Sequence, residues 1–235
     1  MSDIRRNVER SSEFYSKSIL KFDYQLADYN YASIKPFFKG DFALEIGPAS
    51  GYMTKHLVND FKTIHLLEGS SSLIQEIPDY PNVKKFNSLI EEYQTDLKYE
   101  TIIMGHVLEH IADPIFALNK INNWLHPNGV FLVSVPNAKS IHRLVAVEMG
   151  LLPSIYDLNQ RDLELGHYRV YDMDILKQHL TASGFTILHA GGIFLKPLSN
   201  GQIESFWDEK MIDGFYRVGK MFQEYCAEIF VVCGK

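Results

Sequence analysis

Two cysteines in 235 residues leave no material for a disulfide framework. Cys226 and Cys233 lie seven positions apart. On a single strand they would face opposite sides, roughly 23 Å apart, too far to bridge each other. Both read as free, buried thiols in a reducing compartment. No apolar run approaches the roughly 20 residues of a membrane span. There is no basic excess: 23 Lys and Arg face 29 Asp and Glu, for a net charge of −6. No global field therefore draws the chain to nucleic acid or to an anionic membrane. The opening "MSDIRRNVERSSEF" lacks the apolar core of a signal peptide. Repeats and low-complexity linkers are also missing. These absences predict a cytoplasmic globular protein, monomer or homodimer, with no nucleic-acid or membrane partner. The 46% hydrophobic and 22% charged content fits that class.

What is present alternates. "FALEIG" (42–47), "TIHLLEG" (63–69), "NVKKFN" (82–87), "YETIIMG" (99–105) and "VFLVSVP" (130–136) read as strands. Between them lie helical stretches: "YMTKHLVNDF", "SSLIQEI" with Ser70 as N-cap, and "ADPIFALNKINNWL" with Asp113 as N-cap and Pro114 at the first helical position. This alternation predicts an α/β fold with a parallel sheet covered on both faces. The pattern changes after Pro136, where residues 137–170 hold no clean strand. A helix from Met173 to Ser183 follows, capped by Asp172 and stopped at Gly184. "FTILHAGGIFL" (185–195) reads as a strand bulged at Gly191–Gly192. A helical stretch over about 204–222 and a last strand, "YCAEIFVVCG" (225–234), predict an antiparallel ending.

"LEIGPASGYMTKHL" (44–57) begins like a dinucleotide-binding turn and then departs from it. The fingerprint Gly-x-Gly-x-x-Gly needs glycine at three places. Here Gly47 is followed by Ala49 and Tyr52, with Gly51 one place early. Gly47 lets the backbone approach a ligand closely. Glu68 closes the next strand 21 residues later, where a carboxylate can accept from a ribose diol. Tyr52 in place of the third glycine crowds the seat of a pyrophosphate. A ligand with adenine and ribose but no pyrophosphate fits better, and S-adenosylmethionine is one.

With those residues in view, the sequence resembles the class I S-adenosylmethionine-dependent methyltransferases of small-molecule type, over about residues 40–234. "ALEIGPASG" is similar to the family's first motif, with Glu45 its acidic residue and Ala49 standing where glycine is usual. "LLEGS" is similar to the second, with Glu68 as the ribose acid. "FNSLIEE" (86–92) resembles the segment that frames adenine. "YETIIMGHVLEHIADP" (99–114) is similar to the segment after the fourth strand, and "LHPNGVFLVSVPN" to the next turn and strand. The resemblance implies a Rossmann-like seven-stranded sheet, mostly parallel with an antiparallel last strand and helices on both faces. It implies one methyltransferase domain over 1–235. Within it, 1–40 would be a helical lid, and 137–170 and 196–222 insertions that cover the substrate. The implied cofactor is S-adenosylmethionine, with S-adenosylhomocysteine as product. The implied cofactor residues are Glu45, Gly47, Ala49, Gly51, Tyr52, Glu68, Gly69, Ser70, Ser88, Leu89, Gly105, His106 and Val107.

Methyl transfer from a sulfonium needs an in-line nucleophile about 3 Å away, and a hydroxyl acceptor needs a proton acceptor as well. His167 in "LGHYRVYD" and His142 in "PNAKSIHR" are the catalytic candidates, each set against a structural role. Arg143 and Arg169, within a basic group that includes Arg161 and Lys196, point to an anionic acceptor. Tyr168 and Tyr24 complete the expected substrate contacts. His106 and His110 flank Glu109 at metal-ligand spacing, but no third ligand is evident in the sequence, so no metal is expected. The function expected is methylation of a small polar or anionic molecule, at oxygen, on a hydroxyl, carboxylate or phosphate, in surface-glycan or natural-product biosynthesis. The alternatives are a small-molecule N-methyltransferase, with Glu204, Trp207 and Asp208 near the amine, and a non-catalytic partner subunit that binds the cofactor.

Overall fold

The computed structural model describes residues 3–235. Its strands are β1 (Phe42–Ile46), β2 (Thr63–Glu68), β3 (Val83–Asn87), β4 (Tyr99–Gly105), β5 (Leu125–Pro136), β6 (Thr186–Ile193) and β7 (Glu228–Gly234). They form one sheet in the order β3-β2-β1-β4-β5-β7-β6. β1, β2, β3, β4 and β5 pair in parallel. β7 runs antiparallel to both its neighbours, β5 and β6. The expected mostly parallel sheet with an antiparallel last strand is what the chain forms, with β7 inserted between β5 and β6.

The helices are α1 (Asp3–Ser18), α2 (Lys21–Ile34), α3 (Thr54–Leu57), α4 (Ser71–Glu76), α5 (Pro114–Trp124), α6 (Ile141–Glu148), α7 (Gln160–Glu164), α8 (Met173–Ala182), α9 (Asn200–Phe206) and α10 (Glu209–Gly219). Successive strand residues point to opposite faces, so the apolar runs supply two cores. Leu44, Ile46, Ile102, Met104, Phe131 and Val133 face α5 and α8, meeting Leu118, Ile121, Leu176 and Leu180. Ala43, Ile103, Val130 and Leu132 face the other way, meeting Phe22, Leu26 and Ile34 of α2 together with Ile203 and Ile212. Runs that are apolar on both faces are what a covered parallel sheet requires. Among the described residues no helix is long and apolar enough to cross a membrane.

Local chemistry sets the helix starts. The Asp113 carboxylate accepts from Phe116 N at 3.0 Å and Pro114 opens α5. Asp172 accepts from Ile175 N at 2.8 Å, and Gly184 lies just beyond α8 at φ +81°. Ser70 caps α4 through Leu73 N at 3.3 Å. Four expectations change. The stretch after β1 holds only the single turn α3. The helix expected over 204–222 is two helices, because Asp208 accepts from Met211 N and starts a new one. The register shift in β6 lies between Ile187 and His189, not at the glycines. Gly191 and Gly192 instead answer close approach: a Cβ would lie 2.5 Å from the Phe230 ring and 2.2 Å from the Gln223 carbonyl oxygen. Finally, Cys226 precedes β7 rather than sharing it with Cys233, although both thiols are free and buried.

Gly192→Ala forces a methyl against main chain and is expected to cost about 1–3 kcal/mol. Gly201→Ala, in α9 with open space around it, is expected to gain up to about 1 kcal/mol. Urea unfolding of both variants checks the contrast.

Candidate active site

The chain leaves β1 toward β2 and β3, then returns to place β4 on the other side of β1. The carboxyl ends of β1 and β4 therefore flank the crevice where sheets of this kind take ligands. Gly47 ends β1 at φ +68°, and a Cβ there would lie 2.2 Å from Val107 Cγ2. Glycine is required so that the residues following β4 can close on the turn. Ala49 also has positive φ, +49°, at a cost of about 1–2 kcal/mol for a residue with a Cβ. That conformation aims its amide at Glu68.

Glu68 is the tie of the site. Its Oε2 accepts from Ala49 N at 3.1 Å and its Oε1 from Ser70 N at 2.8 Å. Burial pushes its carboxyl above the ordinary range, while the Ser70, Ala49 and Gly69 amides pull it back. An ionised carboxylate has about four acceptor sites, so capacity remains for a diol. Ser88 N and the Asn87 side chain both donate to the Glu68 carbonyl, which brings the 86–92 segment beside it. At Gly69 a Cβ would lie 2.9 Å from Leu89 Cδ2 and 3.4 Å from Val8 Cγ1. Glu45 lies beneath the turn, 4% exposed, and accepts from Thr54 Oγ1 at 2.6 Å. Tyr52 does not cross the turn. Its ring packs at a tilt against Tyr24, 4.5 Å between centroids, and its hydroxyl donates to Asp28 of α2.

α1 lies over this rim. Glu9 accepts from Ser70 Oγ, Ser71 N and Ser71 Oγ at 2.7–2.8 Å, and Arg5 pairs with Glu92 at 2.6 Å. Farther along, Ser11 Oγ lies 2.5 Å from where a Gly166 Cβ would be. Tyr15 follows, its phenol pushed up to about 12 by burial and by the charges of Asp23 and Glu68.

Beyond β4 stands a cluster of charged groups. His106 has φ +55°, a strained conformation for a residue with a side chain. Its Nε2 is 3.1 Å from Glu228 Oε2 and its Nδ1 3.6 Å from Glu109 Oε1. Enclosure by protein lowers its pKa, but the two carboxylates outweigh that and hold it well above the ordinary histidine range. Asn30 donates to both Ser134 and Glu228. Lys196 donates to Asn200, which donates to Asp23, and Arg161 lies 3.6 Å from Asp23. Burial brings Lys196 down to about 8.

The expected substrate and catalytic residues divide. Arg143 is 8% exposed and donates to Ile155 O, Asp157 O and Asp162. Arg169 donates to the carbonyls of Ile111 and Ala112. Both guanidinium groups are engaged with the chain itself, as Lys196 is with Asn200 and Arg161 with Asp23. Tyr168 is half exposed, beside Arg169. His142 is partly buried, with Nδ1 enclosed and unpaired. Burial, Lys196 and Arg143 push it down to about 3, a poor proton acceptor. His167 is 7% exposed, with Nδ1 3.4 Å from Asp162 Oδ1 and its ring edge-on to His110 at 4.6 Å. Of the tail residues considered for an amine, Asp208 caps α10, Trp207 stacks on Phe215 and Glu204 accepts from Phe22 N. Sequence reasoning did not single out Glu228, Asn30, Asp23, Asp162 or Tyr15, and no local motif marks them. A cavity of about 280 Å³ lined by Asn137, Lys139, Asp174 and Glu224 contains none of the turn residues.

A family model described as a methyltransferase domain matches residues 23–190, more than half of the chain. A malonyl-[acyl-carrier protein] O-methyltransferase of Halalkalibacterium halodurans is 22% identical over 125 residues. That match spans 46% of this chain and 46% of that protein, under half the length of the curated relative. Among solved structures, an S-adenosylmethionine-dependent methyltransferase from Mesorhizobium loti has a TM-score of 0.64 at 12% identity, covering 89% of this chain and all of that one. The N-methyltransferase NodS from Bradyrhizobium japonicum, in complex with S-adenosylhomocysteine, has a TM-score of 0.60 at 13% identity, covering 99% and 98%. At such identities these structures establish the fold.

Glu45 makes the turn pH-sensitive. Burial raises its pKa from 4.5 to about 7 in the fold. The folded chain thus binds this proton more tightly than the unfolded one. Its contribution to stability is full below pH 4.5 and is lost as pH rises through 7. Glu45→Gln is expected to remove a pH-dependent loss on the order of 2–3 kcal/mol between pH 5 and 8, read from urea unfolding of both proteins at the two pH values.

Proposed function

The chain belongs to the class I S-adenosylmethionine-dependent methyltransferases, and from that premise we propose that it methylates a small polar or anionic molecule at oxygen. The observation that carries the cofactor half is Glu68, tied to the Ala49 and Ser70 amides with acceptor sites left over. Glu68 would take the ribose hydroxyls. Gly47 and Gly69 give the close approach, Gly51, Ser88, Leu89, Gly105, His106 and Val107 would line the remainder, and Glu45 supports the turn from below. When bound, the cofactor supplies an already activated methyl group. The protein's task is placement, together with care of the acceptor's proton.

The acceptor half rests on the charged rim beyond β4. Arg161 and Lys196 give it positive charge suited to a carboxylate, phosphate or polar hydroxyl. Asp162 orients His167, and this pair serves a hydroxyl that must lose a proton. Tyr24 and Tyr168 stand at the edges, and His142 acts as a neutral wall. α1, with Tyr15 and Glu9, acts as the lid of the 1–40 segment, whose first two residues lie outside the described ones. Residues 137–170 and 196–222 close the substrate side. The curated relative's name reports O-methylation, which favours oxygen here. An amine acceptor is the second reading, favoured by the buried carboxylates of Glu109 and Glu228.

Calorimetry is expected to show binding of S-adenosylhomocysteine that Glu68→Gln weakens at least tenfold, about 1.4 kcal/mol. His167→Gln is expected to keep that binding and lose about 10²-fold in kcat. Cofactor-product release across sugars, sugar phosphates, carboxylates and amines decides between oxygen and nitrogen. Turnover with amines alone overturns the oxygen reading.

A further inference from the structure

Glu109 is 1% exposed, and neither carboxylate oxygen has a hydrogen-bond donor. Its nearest charged partner, His106 Nδ1, is 3.6 Å away. A buried carboxylate without donors is costly, and His106, which it shares with Glu228, compensates it only in part. Glu109, His110 and His167 each offer a ligand atom, and these atoms lie within 4.8 Å of one another. We propose that these three residues bind one divalent transition-metal ion, of the zinc, manganese or iron(II) class.

The surroundings are built for ligation. A ligating histidine usually has its other ring nitrogen held by a carboxylate or a carbonyl. Asp162 lies 3.4 Å from His167 Nδ1, which leaves Nε2 for an ion, and Asp162 is itself held by Arg143. The Gly166 main chain lies beside the His110 ring and favours its protonated form. The segment bearing His167 is fastened to the segment bearing Glu109 and His110. Tyr168 N donates to Glu109 O at 2.8 Å, and Arg169 donates to the carbonyls of Ile111 and Ala112. Arg143 and Arg169 are therefore positioning residues for the cluster.

Two imidazoles and one carboxylate suit a borderline ion better than magnesium or calcium, which prefer oxygen. Ligand atoms around such an ion stand roughly 3–3.5 Å apart, from bonds of about 2.0–2.2 Å, so closure needs side-chain movements on the order of 1 Å. Three protein ligands leave positions open. The cluster follows directly on β4, on the rim that carries Gly47 and His106. The open positions suit an oxygen acceptor, whose hydroxyl an ion would make more acidic. That role rests on the oxygen-methylation reading; ion binding does not. It also changes the part of His167, from taking the acceptor's proton to holding the ion. The sequence expectation of no metal lacked this third ligand, which arrives 57 residues after His110.

The test titrates untagged, chelator-stripped protein with Co²⁺, followed by visible absorption, and with Zn²⁺, followed by calorimetry. One ion per chain is expected. Glu109→Gln, His110→Gln and His167→Gln should each weaken binding at least tenfold, and His126→Gln, at the start of β5 and outside the cluster, should leave it unchanged. Circular dichroism identifies a variant that fails to fold, and the remaining two then decide. No saturable binding at 100-fold excess of ion, or binding indifferent to all folded cluster variants, overturns the proposal. S-adenosylhomocysteine binding is measured in the same samples. Its absence with ion binding intact refutes the cofactor site and leaves the metal site standing.

Discussion

One buried carboxylate joins two crossings of the chain. Glu68 ends β2, yet it fixes the amide of Ala49 in the turn after β1 and the amide of Ser70 at the start of α4. Carboxylates that accept main-chain donors make stronger bonds than neutral acceptors do. The interaction holds Ala49 at positive φ and keeps the turn open over Gly47. The same residue receives Ser88 and Asn87 at its carbonyl, so β3 and its following segment are referred to the same point. Loss of this tie would loosen three connections at once.

The turn could not close without its glycine. Val107 lies where a Cβ of Gly47 would be, so β1 and the segment after β4 meet at van der Waals contact. That approach in turn brings His106 to the rim in a strained conformation. The strain persists because Glu228 and Glu109 grip its ring and Ser134 accepts its amide. Strain of this kind marks places where the surrounding structure over-determines one residue.

Around the segment after β5, charges are held by one another rather than by solvent. Arg143 ties 155–162 together, Arg169 ties 166–169 to 109–112, and Asp162 meets both Arg143 and His167. Breaking a buried pair leaves an uncompensated charge and is strongly destabilising. Between 137 and 170 only Ala138 and Val170 are buried apolar residues, and this network gives the insertion a defined shape. Residues that carry no apparent chemistry thereby set where His167 stands.

The sequence by itself determined the sheet, its two-faced core, the caps at Ser70, Asp113 and Asp172, and the tight turn after β1 with Glu68 at the end of the next strand. Each of these is encoded within a few residues: alternation with period two, a capping side chain, a glycine before a helix, an acid at a strand end. The charged contacts beyond β4 and β5 were not legible in the same way. For Arg143 and Arg169 a sequence shows charge but not which carbonyls are near. Glu228 and Asn30 carry no local signal, and they come together only because β7 inserts beside β5 beneath α2. The meeting of Glu109 and His110 with His167 likewise depends on a loop folding back over more than fifty residues. Only tertiary structure decides such contacts, because they are fixed by the packing of distant segments and not by any pattern along the chain.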